Sequence, residues 1–118
     1  MSLPSFVYGW TPVPCPIMGG RAWQRGPLYV IVSEQNSGGV WWLHVSCSRA
    51  GRMPDYEDLK RVKRDFVGPE RDAVEIHSKE SEHVNLHPFV RHLWARADGS
   101  RVLPDMRQYE PLLGKWGI

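Results

Sequence analysis

Val40-Trp41-Trp42-Leu43-His44-Val45-Ser46-Cys47-Ser48-Arg49 is the stretch whose reading decides the fold. Successive side chains of a strand point to opposite faces. Trp41, Leu43, Val45 and Cys47 then share one apolar face. Trp42, His44, Ser46 and Ser48 share the other, where next neighbours stand roughly 7 Å apart. A strand that buries one face and shows an indole, an imidazole and two hydroxyls on the other is a suitable floor for a ligand site.

Immediately upstream, Leu28, Val30 and Val32 alternate with Tyr29, Ile31 and Ser33, a β-branched pattern that predicts a strand over 28–34. Gln35-Asn36-Ser37-Gly38-Gly39 reads as a five-residue turn, so the two strands form a hairpin. Residues 1–26 hold Pro4, Pro12, Pro14, Pro16, Gly19, Gly20 and Gly26. These breakers predict an irregular arm, which Phe6, Tyr8, Trp10 and Trp23 allow to pack across the domain.

Downstream, Gly51 marks a loop and a helix is expected from Asp55 to about Gly68. Asp55 is its cap, Asp58 the partner of a capping box, and Gly68-Pro69 its stop. Leu59, Val62 and Phe66 form its apolar stripe, expected to lie on the sheet face that carries Leu43 and Val45. Asp55, Glu57 and Asp58 precede Lys60, Arg61, Lys63 and Arg64, an order that complements the helix dipole. Short alternations predict strands over 72–77 and 89–96, with a loop over 78–86 between them. A further edge strand is expected over 101–103, and Tyr109, Leu112, Leu113 and Trp116 fall at helical spacing in the tail.

The expected fold is α+β: a small, mostly antiparallel sheet in the order strand-strand-helix-strand-strand, one main helix on one face, and an irregular N-terminal arm. A single domain over 1–118 is expected, with the arm at 1–26, the α+β core at 27–104 and a tail at 105–118. At 118 residues and 42% hydrophobic content the chain can build one core. It has no apolar run long enough to span a bilayer and no secretory signal pattern, so a cytoplasmic protein is expected. Cys15 and Cys47 specify neither a disulfide framework nor a zinc site, and Cys47 is read as a core residue. A net charge of +2 does not by itself point to nucleic acid.

The pieces Trp42-Leu43-His44-Val45-Ser46, Arg52-Met53-Pro54 with Leu59, Val62-Lys63 and Phe66, Val84-Asn85-Leu86-His87-Pro88, His92-Leu93-Trp94 and Leu103-Pro104-Asp105 follow one another in an order that resembles a family of small uncharacterised proteins of tailed phages and prophages. The resemblance covers about half of the chain. It implies a phage origin and action in the bacterial cytoplasm, and it implies no activity.

Histidines stand at 44, 77, 83, 87 and 92. His83-x-x-x-His87 has ligand spacing for a helix, but Asn85 and Pro88 oppose a helix there, and the glutamate of a zinc-protease motif is missing. Imidazoles from separate elements, His44, His87 and His92, can still converge. His44-Val45-Ser46 resembles one half of the paired His-x-Ser/Thr motif of two-histidine phosphoesterases, in which two histidines act as acid and base on a phosphodiester. The other half is absent, because His92-Leu93-Trp94 has an indole where a hydroxyl is required. Ser46 and Ser48 lack a nucleophile elbow, and neither glycine pair has the sequel of a phosphate loop.

The leading expectation is therefore a non-enzymatic binding protein without metal or cofactor. Trp42, His44 and Ser46 would join His92 and Trp94 around a planar, phosphorylated, nucleotide-like ligand, or the target would be a host macromolecule, a nucleic acid or a protein. Asn85 or His87 would be brought alongside by a loop, and Arg49, Arg52 and the Lys60–Arg64 cluster would supply phosphate contacts. A histidine-based phosphoester hydrolase, metal-dependent or not, is the alternative, and a structural or assembly protein, with a homo-oligomer formed through the arm, is third. The helix is not expected to read DNA sequence, since four acidic residues lie among its bases.

Overall fold

The structure is a computed structural model that describes residues 3–80 and 87–101. Among these residues six strands form one antiparallel sheet: β1 (Thr11–Val13), β2 (Gly20–Arg25), β3 (Leu28–Ser37), β4 (Val40–Arg49), β5 (Val74–Glu80) and β6 (Phe89–Arg96). Their spatial order is β1-β2-β3-β4-β6-β5. Helix α1 (Tyr56–Val62) joins β4 to β5 and continues into a π-helical turn over Lys63–Val67.

The β3–β4 hairpin is longer than its sequence suggests. Register runs from Leu28↔Arg49 to Ser37↔Val40, so Gln35, Asn36 and Ser37 belong to the strand and only two residues turn. Gly38 and Gly39 have φ of 60° and 82°, the left-handed pair that a two-residue hairpin of right-handed twist requires. The five-residue turn is thereby corrected: the polar residues before the glycines are strand residues.

The irregular arm is also corrected. β2 is an interior strand, paired with β3 from Gly20↔Ser33 to Arg25↔Leu28, and β1 forms the sheet edge beside it. The prolines do break structure, but only up to Pro16. Residues 20–25 contain none, and Pro12 sits in the edge strand, where an N–H need not be donated to a neighbour. The core accordingly starts well before residue 27. Trp10 and Trp23 are buried in it, whereas Phe6 and Tyr8 are exposed.

Helix α1 has the expected capping box. The Asp55 carboxylate accepts from the Asp58 backbone N–H at 2.9 Å, and Asp58 accepts from the Asp55 N–H at 3.0 Å. The π turn closes where the Gly68 N–H donates to the Lys63 carbonyl at 3.0 Å, and Gly68 leaves the helix with φ of 87°. Widening that turn lets two consecutive residues, Phe66 and Val67, join Val62 on the buried side. They pack on the face formed by Trp23, Val30, Val32, Leu43, Val45, Cys47 and Leu93, as the stripe predicts. Trp10 meets Phe66 edge-on at 4.8 Å and Trp23 meets it at 5.2 Å. The Trp10 indole N–H donates to Asp65 at 2.8 Å, pinning the N-terminal segment to the helix.

The strands expected at 72–77 and 89–96 occur as β5 and β6, and β5 reaches Glu80, so residues 78–80 of the expected loop are strand and the rest of it, 81–86, lies outside the described residues. A bulge between Glu75 and Ser78 interrupts the β5–β6 pairing. Arg101 lies outside any strand; the remainder of the edge strand expected there, the helical spacing at 109–116, His83 and Asn85 fall outside the described residues. No helix among the described residues is long and apolar enough to cross a membrane.

Candidate functional site

The sheet face turned away from α1 carries the polar strip. β4 and β6 are neighbours, with His44↔Trp94, Ser46↔His92 and Trp42↔Arg96 directly opposite one another. On the other side of β4, β3 sets Ser33 opposite His44 and Gln35 opposite Trp42. Directly paired and diagonal residues of an antiparallel sheet are within side-chain reach, so this register gathers Gln35, His44, Ser46, His92 and Trp94.

His44 Nε2 and His92 Nδ1 are 2.8 Å apart. The rings are inclined by only 7° and their centroids are 5.1 Å apart, about as far as that short nitrogen contact lets two imidazoles reach. The rings therefore lie end to end in one plane. Trp94 stacks on His44 at 4.3 Å with a 28° inclination and backs this plate from one side. Ser46 Oγ is 3.2 Å from His92 Nδ1, and Gln35 Nε2 is 3.4 Å from His44 Nδ1.

One set of protons satisfies all these contacts. The Gln35 amide donates to His44 Nδ1, which leaves the His44 proton on Nε2. That N–H donates to His92 Nδ1, as does the Ser46 hydroxyl, and His92 keeps its own proton on Nε2. Two nitrogens bound to one tetrahedral zinc stand about 3.3 Å apart, given Zn–N distances of about 2.0–2.1 Å. The shorter contact is a direct hydrogen bond. Among the described residues no group of three His, Cys, Asp or Glu side chains is placed to hold a metal ion.

The other expected site residues divide. Trp42 is on the strip and buried, with the Arg96 guanidinium 5.9 Å from its ring centre. Trp42 and Trp94 thus face away from the helix rather than packing beneath it. His87 is buried and its ring stands 5.7 Å from that of Tyr29, several residues along β3 from the pair opposite His44. Arg49 and Arg52 do not join the strip. Arg49 shares the helix-side face with Cys47 and donates to both Asp58 oxygens at 2.9 and 3.0 Å, while Arg52 donates to Asp55 at 3.1 Å. Both neutralise carboxylates of the α1 cap. Cys47 is fully buried, and burial, assisted by nearby Asp58, pushes its thiol up to about 12, so it is a core residue and not a nucleophile.

Gln35 and Arg96 belong to the site and were not among the expected residues. The signal for Gln35 was the unbroken alternation Ser33-x-Gln35, visible once the turn is narrowed to Gly38-Gly39. Arg96 lies two residues beyond Trp94 on the same face. Residues 33–98 match the model of a family described as Domain of unknown function (DUF7694), a segment that contains Gln35, His44, Ser46, His92, Trp94 and Arg96. No curated protein and no solved structure matches the chain.

Proposed function

We propose that this chain, which belongs to the family described as Domain of unknown function (DUF7694), is a small non-enzymatic binding protein whose imidazole plate receives a planar, nucleobase-like ring. The coplanar His44–His92 pair backed by Trp94 carries the reading. A flat, hydrogen-bonded surface of two rings offers a ligand π-stacking, worth about 1–3 kcal/mol per base on an aromatic platform. Gln35 at the end of the plate can exchange its amide contact for one to a ring edge. Arg96, on the same face, supplies the positive charge for a phosphate in place of Arg49 and Arg52. The resemblance to phage proteins supports a role as a phage accessory protein in the host cytoplasm.

Binding fits better than hydrolysis. Ser46 is close enough to His92 to be activated by it, but His92 Nδ1 already accepts the shorter bond from His44. The position that would carry the second hydroxyl holds Trp94, stacked on His44. Thermal unfolding of the full chain with mononucleotides, cyclic dinucleotides and divalent metals tests the proposal. A planar ligand at 100 times its dissociation constant stabilises the fold by about 2.7 kcal/mol, and His44→Ala and His92→Ala lose that stabilisation together. Metal-dependent turnover of a phosphodiester, or stabilisation that survives both substitutions, overturns it.

A further inference from the structure

A second site lies across the sheet, along α1 and the π turn. A cavity of about 630 Å³ opens there, lined among the described residues by Lys60, Arg61, Lys63 and Arg64 together with Glu57, Asp58 and Gly68-Pro69. The carboxylates nearby are matched. Asp58 holds Arg49, Asp65 holds Arg64 at 3.0 Å, Asp72 holds Arg101 at 2.7 Å with Lys63 also in its field, and Glu57 faces Lys60 at 3.8 Å. Arg61 and Lys63 are in no ion pair among the described residues, so they are the cations most open to an incoming phosphate. Beside this groove Tyr56 is 72% exposed, and the Lys60 ammonium stands 5.3 Å from its ring centre.

We propose that this groove binds single-stranded nucleic acid without sequence preference. Cations that track a backbone, set beside an exposed aromatic ring that stacks a base, are the two parts such binding needs. A duplex hides the faces of its bases, so Tyr56 selects the single strand. Glu57 is the opposing element: its carboxylate also lines the cavity, and its charge repels a phosphate and weakens binding. The site is independent of the imidazole plate, which occupies the opposite face of the sheet.

Fluorescence anisotropy of the full chain with a labelled ten-nucleotide oligo-dT, and with the same length of duplex, tests the proposal at several salt concentrations. The single strand binds more tightly at low salt. Arg61→Ala/Lys63→Ala weakens it and flattens the dependence of log K on log salt by about 1.4, at about 0.7 per phosphate for single strands. Tyr56→Ala costs about 5- to 150-fold on the single strand and leaves duplex binding unchanged, while Glu57→Gln tightens binding. His44→Ala retains single-strand binding. All the substituted side chains of the groove are exposed or half-buried, and circular dichroism checks that each variant folds. Absence of binding at low salt, equal affinity for the duplex, or full affinity in Arg61→Ala/Lys63→Ala overturns the proposal. Loss of the strand in His44→Ala alone also overturns it and transfers nucleic-acid binding to the imidazole plate.

Discussion

A nitrogen-to-nitrogen separation of 2.8 Å obliges one imidazole to donate and the other to accept, so His44 and His92 together carry two ring protons or three, but never four while the bond stands. The third proton has one obvious place, His44 Nδ1, where Gln35 now donates. Accepting it requires the Gln35 amide to turn over and present its oxygen. Gln35→Glu replaces that adjustable amide with a fixed negative charge, which favours the imidazolium. The His44 C2–H resonance is therefore expected to titrate at higher pH in Gln35→Glu than in the parent chain; an unchanged NMR titration would separate Gln35 from the pair. Ser46→Ala removes the weaker 3.2 Å contact and should leave the plate and its ligand in place. Both histidines could be singled out from the sequence because each lies mid-strand in an unbroken alternation. Their contact was not legible to the same degree: it depends on β4 and β6 being neighbours, and β5 stands between them in the chain.

At the scale of elements, the helix and its π turn are held by Phe66, which contacts both Trp10 and Trp23. Phe66→Ala should cost about 3–5 kcal/mol in chemical denaturation, and a loss below about 1 kcal/mol would show that the helix hardly depends on this packing. The helix also clasps the N-terminal segment through Asp65. Burial works to raise the Asp65 carboxyl, but the Arg64 guanidinium and the Trp10 indole N–H outweigh it and hold the group below its ordinary 3.8. A carboxylate whose folded value is depressed stabilises the fold fully above its unfolded value and loses that contribution as pH falls through the folded one. Acid unfolding followed below about pH 4 should accordingly be less steep in Asp65→Asn than in the parent chain. The capping box and the apolar stripe were readable because their signals are local. Val67 was not, since a regular 3.6-residue period turns it away from Phe66 and only the π turn brings both inward. The prolines misled for a related reason: counted over 26 residues they suggest irregular chain, but they are concentrated before a six-residue stretch that pairs normally.

At the scale of the whole molecule, β1 and β2 close one side of the sheet and bring Trp10 and Trp23 into the core. Deleting residues 1–27 should bare the long β3 edge and empty part of the core. The truncated chain is expected to aggregate, as size-exclusion chromatography would show; a stable monomer would mean that the arm is dispensable. The strand order β4-β6-β5 has a temporal meaning as well. β4 is complete at Arg49, but its partner ends only at Arg96, 47 residues later. At synthesis rates of about 5–20 residues per second, the hydrogen-bonding edge of β4 waits about 2–9 s on the ribosome for β6 to emerge. His44 spends that interval without His92, so the imidazole contact is a late event in the life of each new chain and a marker that the sheet has closed.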